Sequence, residues 1–284
     1  MDFDVSILGF GDNVVDKYEH ISTMYPGGNC VNVAVYAKMN GAKRCAYMGY
    51  FGNDPEAEHV IYALKEEKIE TVKCRQLEGE NGCSVNTILD GERVFLHSNE
   101  GGIRGKKLFD LDRFDLEYIR QFDVVHSGNY SFMESQLEKI RTAGVPVSFD
   151  FSDDSDEPYY RAVAPHVDYA FCSFDGDDET VKTRLKWVSS LGPRLVCASR
   201  GPDGCMLFDG KDFYVQKAIL LEQVTDTMGA GDSLIASFLV SFFHLKKQGT
   251  ETPEAIQRSL LHGVTFAAKI CTMEGAFGYG KKYG

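Results

Sequence analysis

The segment TDTMGAGDSLIASFLVSFF, from Thr225 to Phe243, combines two features that could do chemistry together. Gly229, Ala230 and Gly231 are small, so successive backbone N–H groups can converge on an anion without obstruction by side chains. The apolar run after them predicts a buried helix, whose N-terminus adds partial positive charge at the same point. Asp232 stands where this helix begins and could take a proton from a hydroxyl beside the bound anion.

Asp232 is a weak base in water, because a free aspartate has a pKa of about 3.9. That is sufficient if the proton moves late, when a loose phosphoryl transition state has made the hydroxyl acidic. The chemistry indicated is phosphoryl transfer to an alcohol. A plain glycine turn in which Asp232 only caps a helix is equally compatible with these residues.

The familiar nucleotide motifs are absent from the sequence. No G-x-x-x-x-G-K-[ST] segment is present, which excludes a P-loop, and GFGD from Gly9 is too short for a dinucleotide fingerprint. The net charge of −12 excludes a nucleic-acid-binding surface. It also means that a phosphate ligand must be neutralised locally by amides, helix termini and metal ions.

The remaining composition is that of a soluble globular protein of 284 residues. No apolar run reaches about 18 residues, so we expect no membrane helix. The N-terminus MDFDVSILGFG is acidic and predicts a first strand instead of a signal peptide. The eight cysteines form no C-x-x-C pair, so we expect reduced core residues and a cytoplasmic location.

Short apolar runs alternate with amphipathic segments along most of the chain. Asp54 and Pro55 are a typical N-cap and first residue of a helix, and another amphipathic segment starts at Ser135. Such alternation predicts βαβ units and a mainly parallel sheet covered by helices, an α/β/α fold in one domain spanning residues 1–284. The predicted strands are 4–9, 45–52, 123–128, 145–152, 168–173 and 194–199.

Two Asp-Gly pairs, Asp90-Gly91 and Asp209-Gly210, lie between alternating runs and predict hairpins with type I′ turns. The first hairpin stands where a crossover helix is expected. We expect it to pair with a segment near 17–25 in a small sheet that acts as a lid, with lid strands at about 14–26 and 83–103.

Several motifs together resemble those of the ribokinase-like, or PfkB, family of carbohydrate kinases. DTMGAGD is similar to the C-terminal signature of the family, and GGNCVNVAVYAKMNGAKRCAYMGYFGND, from Gly27, to its N-terminal one. GDNVVD, from Gly11, resembles its first-strand sugar element, and SRGPDG, from Ser199, its nucleotide loop. The motifs occur in the order of the family across nearly the whole chain.

The resemblance implies an ATP-dependent, Mg²⁺-requiring sugar kinase in which Asp232 is the catalytic base and the turn before it is the anion hole. It also implies two sets of binding residues. The sugar would contact Asp16, Gly27, Gly28 and Asn32, with Asp12 a possible addition. The nucleotide would contact Ser199, Gly201, Gly204, Gly229 and Gly231.

Each of these positions has a simpler interpretation from the residues alone. Gly27 and Gly28 fit a helix cap, Asn32 an ordinary helical position and Asp16 a turn. Ser199, Gly201 and Gly204 fit a turn between a strand and a hairpin.

Two metal sites implied by the resemblance are less well matched. The N-x-x-E element of the family corresponds to CSFDGDDE, with Ser173 at the asparagine position and Gly176 at the glutamate position. Asp177 or Asp178 could organise Mg²⁺ instead, or could simply form the acidic start of a helix. Asp226 with the loop TMEGAFG (272–278) resembles the monovalent-cation site of the family, which implies K⁺.

Within the family, GDNVVD, FDFSDDSD and the ending AAKICTMEGAFG are most similar to kinases that act on fructosamines. The acceptor implied is a primary hydroxyl of a fructosamine, as in fructoselysine, or of a related ketose. A fructokinase-like or nucleoside kinase of the same family remains an alternative, as does a catalytically silent sugar or nucleotide sensor. The retained Asp232 disfavours the sensor, and the altered metal element favours it.

The first hairpin also predicts a dimer. Cys83, Val85, Thr87 and Leu89 alternate with Ser84, Asn86 and Ile88, so neither face is cleanly polar. Family lids commonly pair with a second copy, so we expect a homodimer through the lid. In such a lid Arg93 could point inward to a polar group of the acceptor, or it could be a solvated turn residue.

Overall fold

The computed structural model describes residues 3–89, 92–153 and 155–284, apart from the side chains of residues 88, 89, 92 and 93. Its strands and helices are numbered in chain order. The main sheet contains β1 (Phe3–Gly11), β4 (Ala42–Phe51), β5 (Arg75–Gln76), β8 (Val124–Gly128), β9 (Val147–Asp150), β10 (Tyr169–Ser173), β11 (Leu195–Ser199), β12 (Cys205–Phe208) and β13 (Phe213–Gln216). The second sheet contains β2 (Val14–Tyr18), β3 (Thr23–Gly27), β6 (Gly82–Leu89), β7 (Glu92–Ser98) and β14 (Lys281–Lys282). The helices are α1 (Asn29–Met39), α2 (Pro55–Glu66), α3 (Ile103–Lys106), α4 (Arg113–Ile119), α5 (Glu134–Thr142), α6 (Glu157–Val163), α7 (Asp178–Ser190), α8 (Ala230–Lys247) and α9 (Thr252–Ile270).

The main sheet has the order β13-β12-β11-β10-β9-β8-β1-β4-β5 and is parallel except at one edge, where β12 and β13 run antiparallel. The six strands predicted for it are present, with ends that differ from the prediction by at most three residues. Their residues are buried on both faces, because helices cover both sides of a parallel sheet. In β1, for example, Ile7 packs toward α1, α2, α8 and α9, whereas Leu8 packs toward α4 to α7. The three-layer α/β/α fold is confirmed.

The predicted helix starts are also present. Asp54 is the N-cap of α2, and its Oδ1 accepts a hydrogen bond of 2.9 Å from the amide of Ala57. α8 begins at Ala230 and is buried over most of its length, as its apolar sequence indicates. Among the described helices, none is long and apolar enough to cross a bilayer.

The lid forms the second sheet, in the order β14-β3-β2-β6-β7. Its predicted boundaries need correction. A one-turn helix from Glu19 to Ile21 separates β2 from β3, β7 ends at Ser98, and α3 occupies the end of the range assigned to the lid. The strand β14 was not predicted, because its two lysines carry no strand pattern and only pairing with β3 makes them a strand.

Only one of the two predicted turns lies within the described residues. Leu89 pairs with Glu92, and Asp90-Gly91 between them is outside the described part of the chain. At the other hairpin Phe208 pairs with Phe213, so the connection has four residues and the two-residue type I′ prediction was wrong. The side chain of Asp209 accepts hydrogen bonds from the amides of Lys211 and Asp212, which closes this longer loop.

Candidate active site

The glycine turn before α8 adopts a conformation that its sequence makes possible. Gly229 is the N-cap of α8 with φ of 75°, a left-handed conformation that favours glycine. A Cβ at Gly229 would also lie 2.2 Å from the hydroxyl of Tyr36. The amide of Ala230 donates to the carbonyl of Thr227 at 3.2 Å. An anion at this turn would therefore meet mainly the amides of Gly229, Gly231 and Asp232.

Asp232 is held by two side-chain amides from the first turn of α1. Its Oδ1 accepts a hydrogen bond from Asn29 Nδ2 and its Oδ2 accepts one from Asn32 Nδ2, each at 2.7 Å. Burial raises the pKa of Asp232 above its usual value, and the two amide donors act in the opposite direction. The carboxylate is thus fixed in orientation while its basicity is increased.

Asp150, at the end of β9, places a second carboxyl group at the same point. Asn29 Nδ2 also donates to Asp150 Oδ2, at 3.1 Å, so one amide group bridges the two acidic side chains. Burial, and next the nearby charge of Asp232, raise the pKa of Asp150 to about 7. A pair of carboxyl groups with raised pKa values in a cleft is typical of a functional site.

His126, buried in β8, fixes the orientation of Asn29. One ring nitrogen, Nε2, lies 2.8 Å from Asn29 Oδ1, and the other, Nδ1, lies 2.9 Å from Ser148 Oγ. Burial lowers the pKa of His126 to about 3, so the ring is neutral. Because Asn29 must present its Nδ2 to the carboxyl groups, its Oδ1 accepts from Nε2–H, and Nδ1 accepts from the hydroxyl of Ser148.

The predicted sugar-binding residues lie where the lid joins the main sheet. Gly28 is the N-cap of α1 with φ of 103°, and a Cβ there would lie 2.8 Å from the Cα of Asn13. Asp12 accepts hydrogen bonds from the amides of Asn29 and Cys30, so it caps α1 from the connection between β1 and β2. Its predicted sugar contact stays a prediction that these contacts do not favour.

Two further predicted residues surround the same space. Asn32 Oδ1 is buried without a hydrogen-bond partner, although the Nδ2 of the same side chain holds Asp232. A Cβ at Gly27 would lie 2.8 Å from Asp16 Oδ2 and 3.8 Å from Asn32 Oδ1. Asp16, Gly27 and Asn32 are therefore brought together beside Asp232, and Asn32 offers a free acceptor to a hydroxyl donor.

On the other side of Asp150, a small cavity is lined by Ser173, Ser199 and Gly231. Ser199 Oγ lies 2.8 Å from Ser173 Oγ, which joins the predicted nucleotide loop to the residue that replaces the asparagine of N-x-x-E. Gly204 has φ of 90° and leaves no room for a Cβ beside Gln216. Gly201 is exposed, with open space where a Cβ would stand. The nucleotide roles of Gly201 and Gly204 remain predictions.

The residues predicted for metals have other partners. Asp177 is exposed and caps α7, because its Oδ1 accepts from the amide of Thr180 at 2.8 Å. Asp178 pairs with Arg200 at 2.7 Å. No group of three or more His, Cys, Asp or Glu side chains within the described residues could hold a metal ion.

Asp226 links three segments. Its Oδ2 accepts hydrogen bonds from the hydroxyl of Tyr18 in the lid, at 2.5 Å, and from the amide of Gly275, at 3.2 Å. Its Oδ1 accepts from the amide of Met228 at 2.9 Å. Donors thus point at both oxygens, which does not favour the predicted K⁺ contact of this carboxylate.

Sequence reasoning missed three members of the site: Asn29, His126 and Asp150. The one signal was a histidine within the apolar run DVVHSG, which is unusual for a buried strand. The side chain of Arg93 lies outside the described part of the chain, so its predicted inward orientation is untested.

Comparisons with known proteins identify the family of this chain. The family model described as pfkB family carbohydrate kinase matches residues 3–278. The chain belongs to the PfkB family of carbohydrate kinases. It is 39% identical to the fructosamine kinase FrlD of Bacillus subtilis, over 98% of this chain and 95% of that protein. It is 32% identical to the fructoselysine 6-kinase of Escherichia coli, over 96% and 99% of the two chains.

Solved structures show the same fold at low sequence identity. The ribokinase of Giardia lamblia superposes with a TM-score of 0.80 at 17% identity, covering 96% of this chain and 94% of that one. The fructokinase of Xylella fastidiosa with bound ATP has a TM-score of 0.76 at 18% identity, with coverage of 96% and 94%. The PfkB chain is therefore a ribokinase-like carbohydrate kinase by both sequence and fold.

Proposed function

We propose that this PfkB kinase transfers the γ-phosphoryl group of ATP to a primary hydroxyl of a fructosamine. The observation that supports this best is the carboxylate of Asp232, fixed by Asn29 and Asn32 at the start of α8. A carboxylate that serves only as a helix cap bonds to the amides of its own helix. The partners of Asp232 come instead from α1, beside the residues predicted to bind the sugar.

In the proposed reaction the acceptor hydroxyl lies between Asp232 and the free Oδ1 of Asn32. Asp232 accepts the hydroxyl proton as the oxygen attacks phosphorus, in line with the leaving ADP. Its raised pKa improves it as a base, and the hydrogen bonds to Asn29 and Asn32 hold it in position before the reaction. The neutral ring of His126 donates a hydrogen bond to Asn29 Oδ1 and so keeps Asn29 Nδ2 directed at Asp232.

The transferred phosphoryl group would meet the amides of Gly229 and Gly231 and the positive end of α8. We include Ala230 in this anion hole as the residue that shapes the turn, because its own amide donates to Thr227. Ser199 and Ser173, which line the small cavity together with Gly231, would contact the nucleotide phosphates.

Kinases of this chemistry use ATP as its Mg²⁺ complex, which neutralises the phosphates during transfer. The residues predicted for metals fit that role poorly, because Asp177 is an exposed helix cap and the oxygens of Asp226 already accept hydrogen bonds. We therefore assign no step to a protein-bound metal. Dependence on Mg²⁺ and K⁺ remains a proposal that titration of each ion in the kinase assay tests directly.

The fructosamine assignment rests on similarity to FrlD and to fructoselysine 6-kinase. A plant fructokinase is 25% identical, which keeps a fructokinase-like activity as the alternative. One coupled assay of ADP release across fructoselysine, other fructosamines, fructose, ribose and nucleosides separates them. Turnover of fructose or a nucleoside alone would contradict the fructosamine proposal, and no turnover with any acceptor would favour the sensor.

The Asp232→Asn variant tests the mechanism. Asparagine keeps the size of the side chain but cannot accept the proton, so we expect kcat to fall about 10²- to 10⁴-fold with ATP binding retained. Asp177→Asn is the matched control, because asparagine caps a helix as well as aspartate does. Near-normal turnover in Asp232→Asn would return Asp232 to the role of a structural residue.

We also propose a cytoplasmic homodimer formed through the lid. On β7, Phe95 and Leu96 are 60% and 41% exposed, which is unusual for large apolar side chains next to each other on a small sheet. On β6, Asn86 and Thr87 are both buried although they alternate in direction. The lid of a second copy packed against β7 would cover the exposed side chains of Phe95 and Leu96.

A further inference from the structure

Arg104 in α3 is a buried arginine without a carboxylate partner. It is 4% exposed, and no Asp or Glu of the described residues forms an ion pair with it. Its Nη1 donates to the carbonyl of Asn13 at 3.0 Å, but its Nε is buried without any hydrogen-bond partner. Because a buried charge is costly unless it is paired, this guanidinium requires an anion that the described chain does not supply.

Four other arginines of the described chain show the usual arrangement. They are less deeply buried than Arg104, yet each has a carboxylate oxygen within 3 Å. The pairs are Arg44 with Glu70 (2.9 Å), Arg75 with Asp115 (2.6 Å), Arg194 with Asp168 (2.7 Å) and Arg200 with Asp178 (2.7 Å).

The chain is built to accommodate this side chain. Gly101 has φ of 83°, and a Cβ there would lie 2.6 Å from Arg104 Nη2 and 3.0 Å from the ring of Phe132. The ring of Phe132 lies 5.6 Å from the guanidinium carbon, and this residue has φ of 58°, an uncommon conformation for phenylalanine. A glycine and a ring thus border the donor edge formed by Nε and Nη2.

Arg104 lies on the acceptor side of the site. Arg104 Nη1 contacts the carbonyl of Asn13, and the Cα of Asn13 lies 2.8 Å from where Gly28 would carry a Cβ. The guanidinium is therefore within about 8 Å of the cradle predicted for the sugar. The phosphate-side residues, Ser199 and Gly231, belong to a separate cavity that does not include Arg104.

We propose that Arg104 binds the carboxylate of an acceptor formed from a ketose and an amino acid. Nε–H and Nη2–H form a parallel fork that matches the two oxygens of a carboxylate. One guanidinium carries a single positive charge, which suits a carboxylate monoanion better than a phosphate dianion. The inference rests on the proposed function and narrows it to fructosamines that carry a carboxylate. The ring of Phe132, which is 41% exposed, would have to turn aside to admit that carboxylate.

The test compares three acceptors that differ only at the carboxylate: fructosylvaline, its carboxamide, and the decarboxylated fructosyl-isobutylamine. For the wild-type enzyme we expect kcat/KM to be about 10- to 100-fold higher for fructosylvaline than for the other two, the size of a charge-assisted hydrogen bond. Arg104→Gln keeps a donor for the carbonyl of Asn13 and should remove this preference, with kcat/KM for the uncharged acceptors changed less than about threefold. Arg194→Gln, at a remote exposed site, is the control.

Equal rates for the three acceptors in the wild-type enzyme would overturn the proposal, whether or not the variant folds. An equal loss of kcat/KM for all three acceptors in Arg104→Gln would show that Arg104 only supports the lid, and it would overturn the proposal. Preference for fructose 6-phosphate would identify the anion as a phosphate and would also overturn it. Phosphorylation of fructose with no fructosamine turned over would overturn both this inference and the proposed function. Fructoselysine linked through its ε-amine, measured alongside, shows whether the guanidinium of Arg104 reaches a carboxylate near the sugar or one further away. In either case, loss in Arg104→Gln of the preference for an acceptor that carries a carboxylate supports the proposal.

Discussion

The carboxyl group of Asp150 predicts an unusual dependence of stability on pH. In the unfolded chain its pKa is about 3.9, whereas burial and the nearby Asp232 raise it to about 7 in the folded protein. The folded state thus binds a proton more tightly than the unfolded state. The contribution to stability is fully present below about pH 4 and is lost as the pH rises through 7.

The size of this effect follows from the two pKa values. Between pH 5.5 and pH 8 the folded protein should lose about 2 kcal/mol of unfolding free energy through Asp150 alone. Asp150→Asn cannot ionise, so it removes this loss. It also replaces one acceptor of the hydrogen bonds from Asn29 and Ser152, which costs about 1 kcal/mol at every pH.

The measurement is urea unfolding of both proteins at pH 5.5, 6.5 and 8, without nucleotide or Mg²⁺. We expect the stability of Asp150→Asn relative to wild type to rise by about 2 kcal/mol across this range. Asp177→Asn is the control, because its N-cap hydrogen bond lowers the pKa of Asp177 and keeps it ionised throughout. A difference between Asp150→Asn and wild type that does not change with pH would refute the raised pKa of Asp150.

The remaining predictions concern the turn and the lid. Gly231→Val should keep the melting temperature, since no atom lies within 4 Å of a Cβ there, but should reduce kcat at least about 100-fold by blocking the phosphate; retained activity would refute the anion hole. Gly229→Val should instead lower stability by several kcal/mol, because of its φ of 75° and the clash with Tyr36, which thermal unfolding measures. Tyr18→Phe removes the lid contact to Asp226 and should raise the KM of the acceptor about 3- to 10-fold, with a smaller effect on the KM of ATP; equal changes would argue against a lid role. Light scattering at micromolar protein should give the mass of a dimer, and a fully active monomer would exclude the lid interface.

The sequence was informative wherever a local rule decides the structure. Asp54 before Pro55 predicted the start of α2, because a cap bonds to the helix that immediately follows it. Alternating apolar runs predicted the six strands of the main sheet. The four-residue loop at Asp209 was not predicted, because the turn type depends on the register of β12 against β13 and not on the Asp-Gly pair alone.

The sequence by itself also determined the motif chemistry: a glycine turn, a helix behind it and Asp232 at their junction. Only the tertiary structure decided what surrounds that carboxylate. Asn29 is separated from His126 by 97 residues, from Asp150 by 121 and from Asp232 by 203, and no spacing rule relates positions so far apart. They meet because the carboxyl ends of β8 and β9 and the first turns of α1 and α8 converge at one edge of the parallel sheet. That convergence also raises the pKa of Asp150 and Asp232, since both groups are buried, and Asp150 lies beside the charge of Asp232, only once the chain has folded.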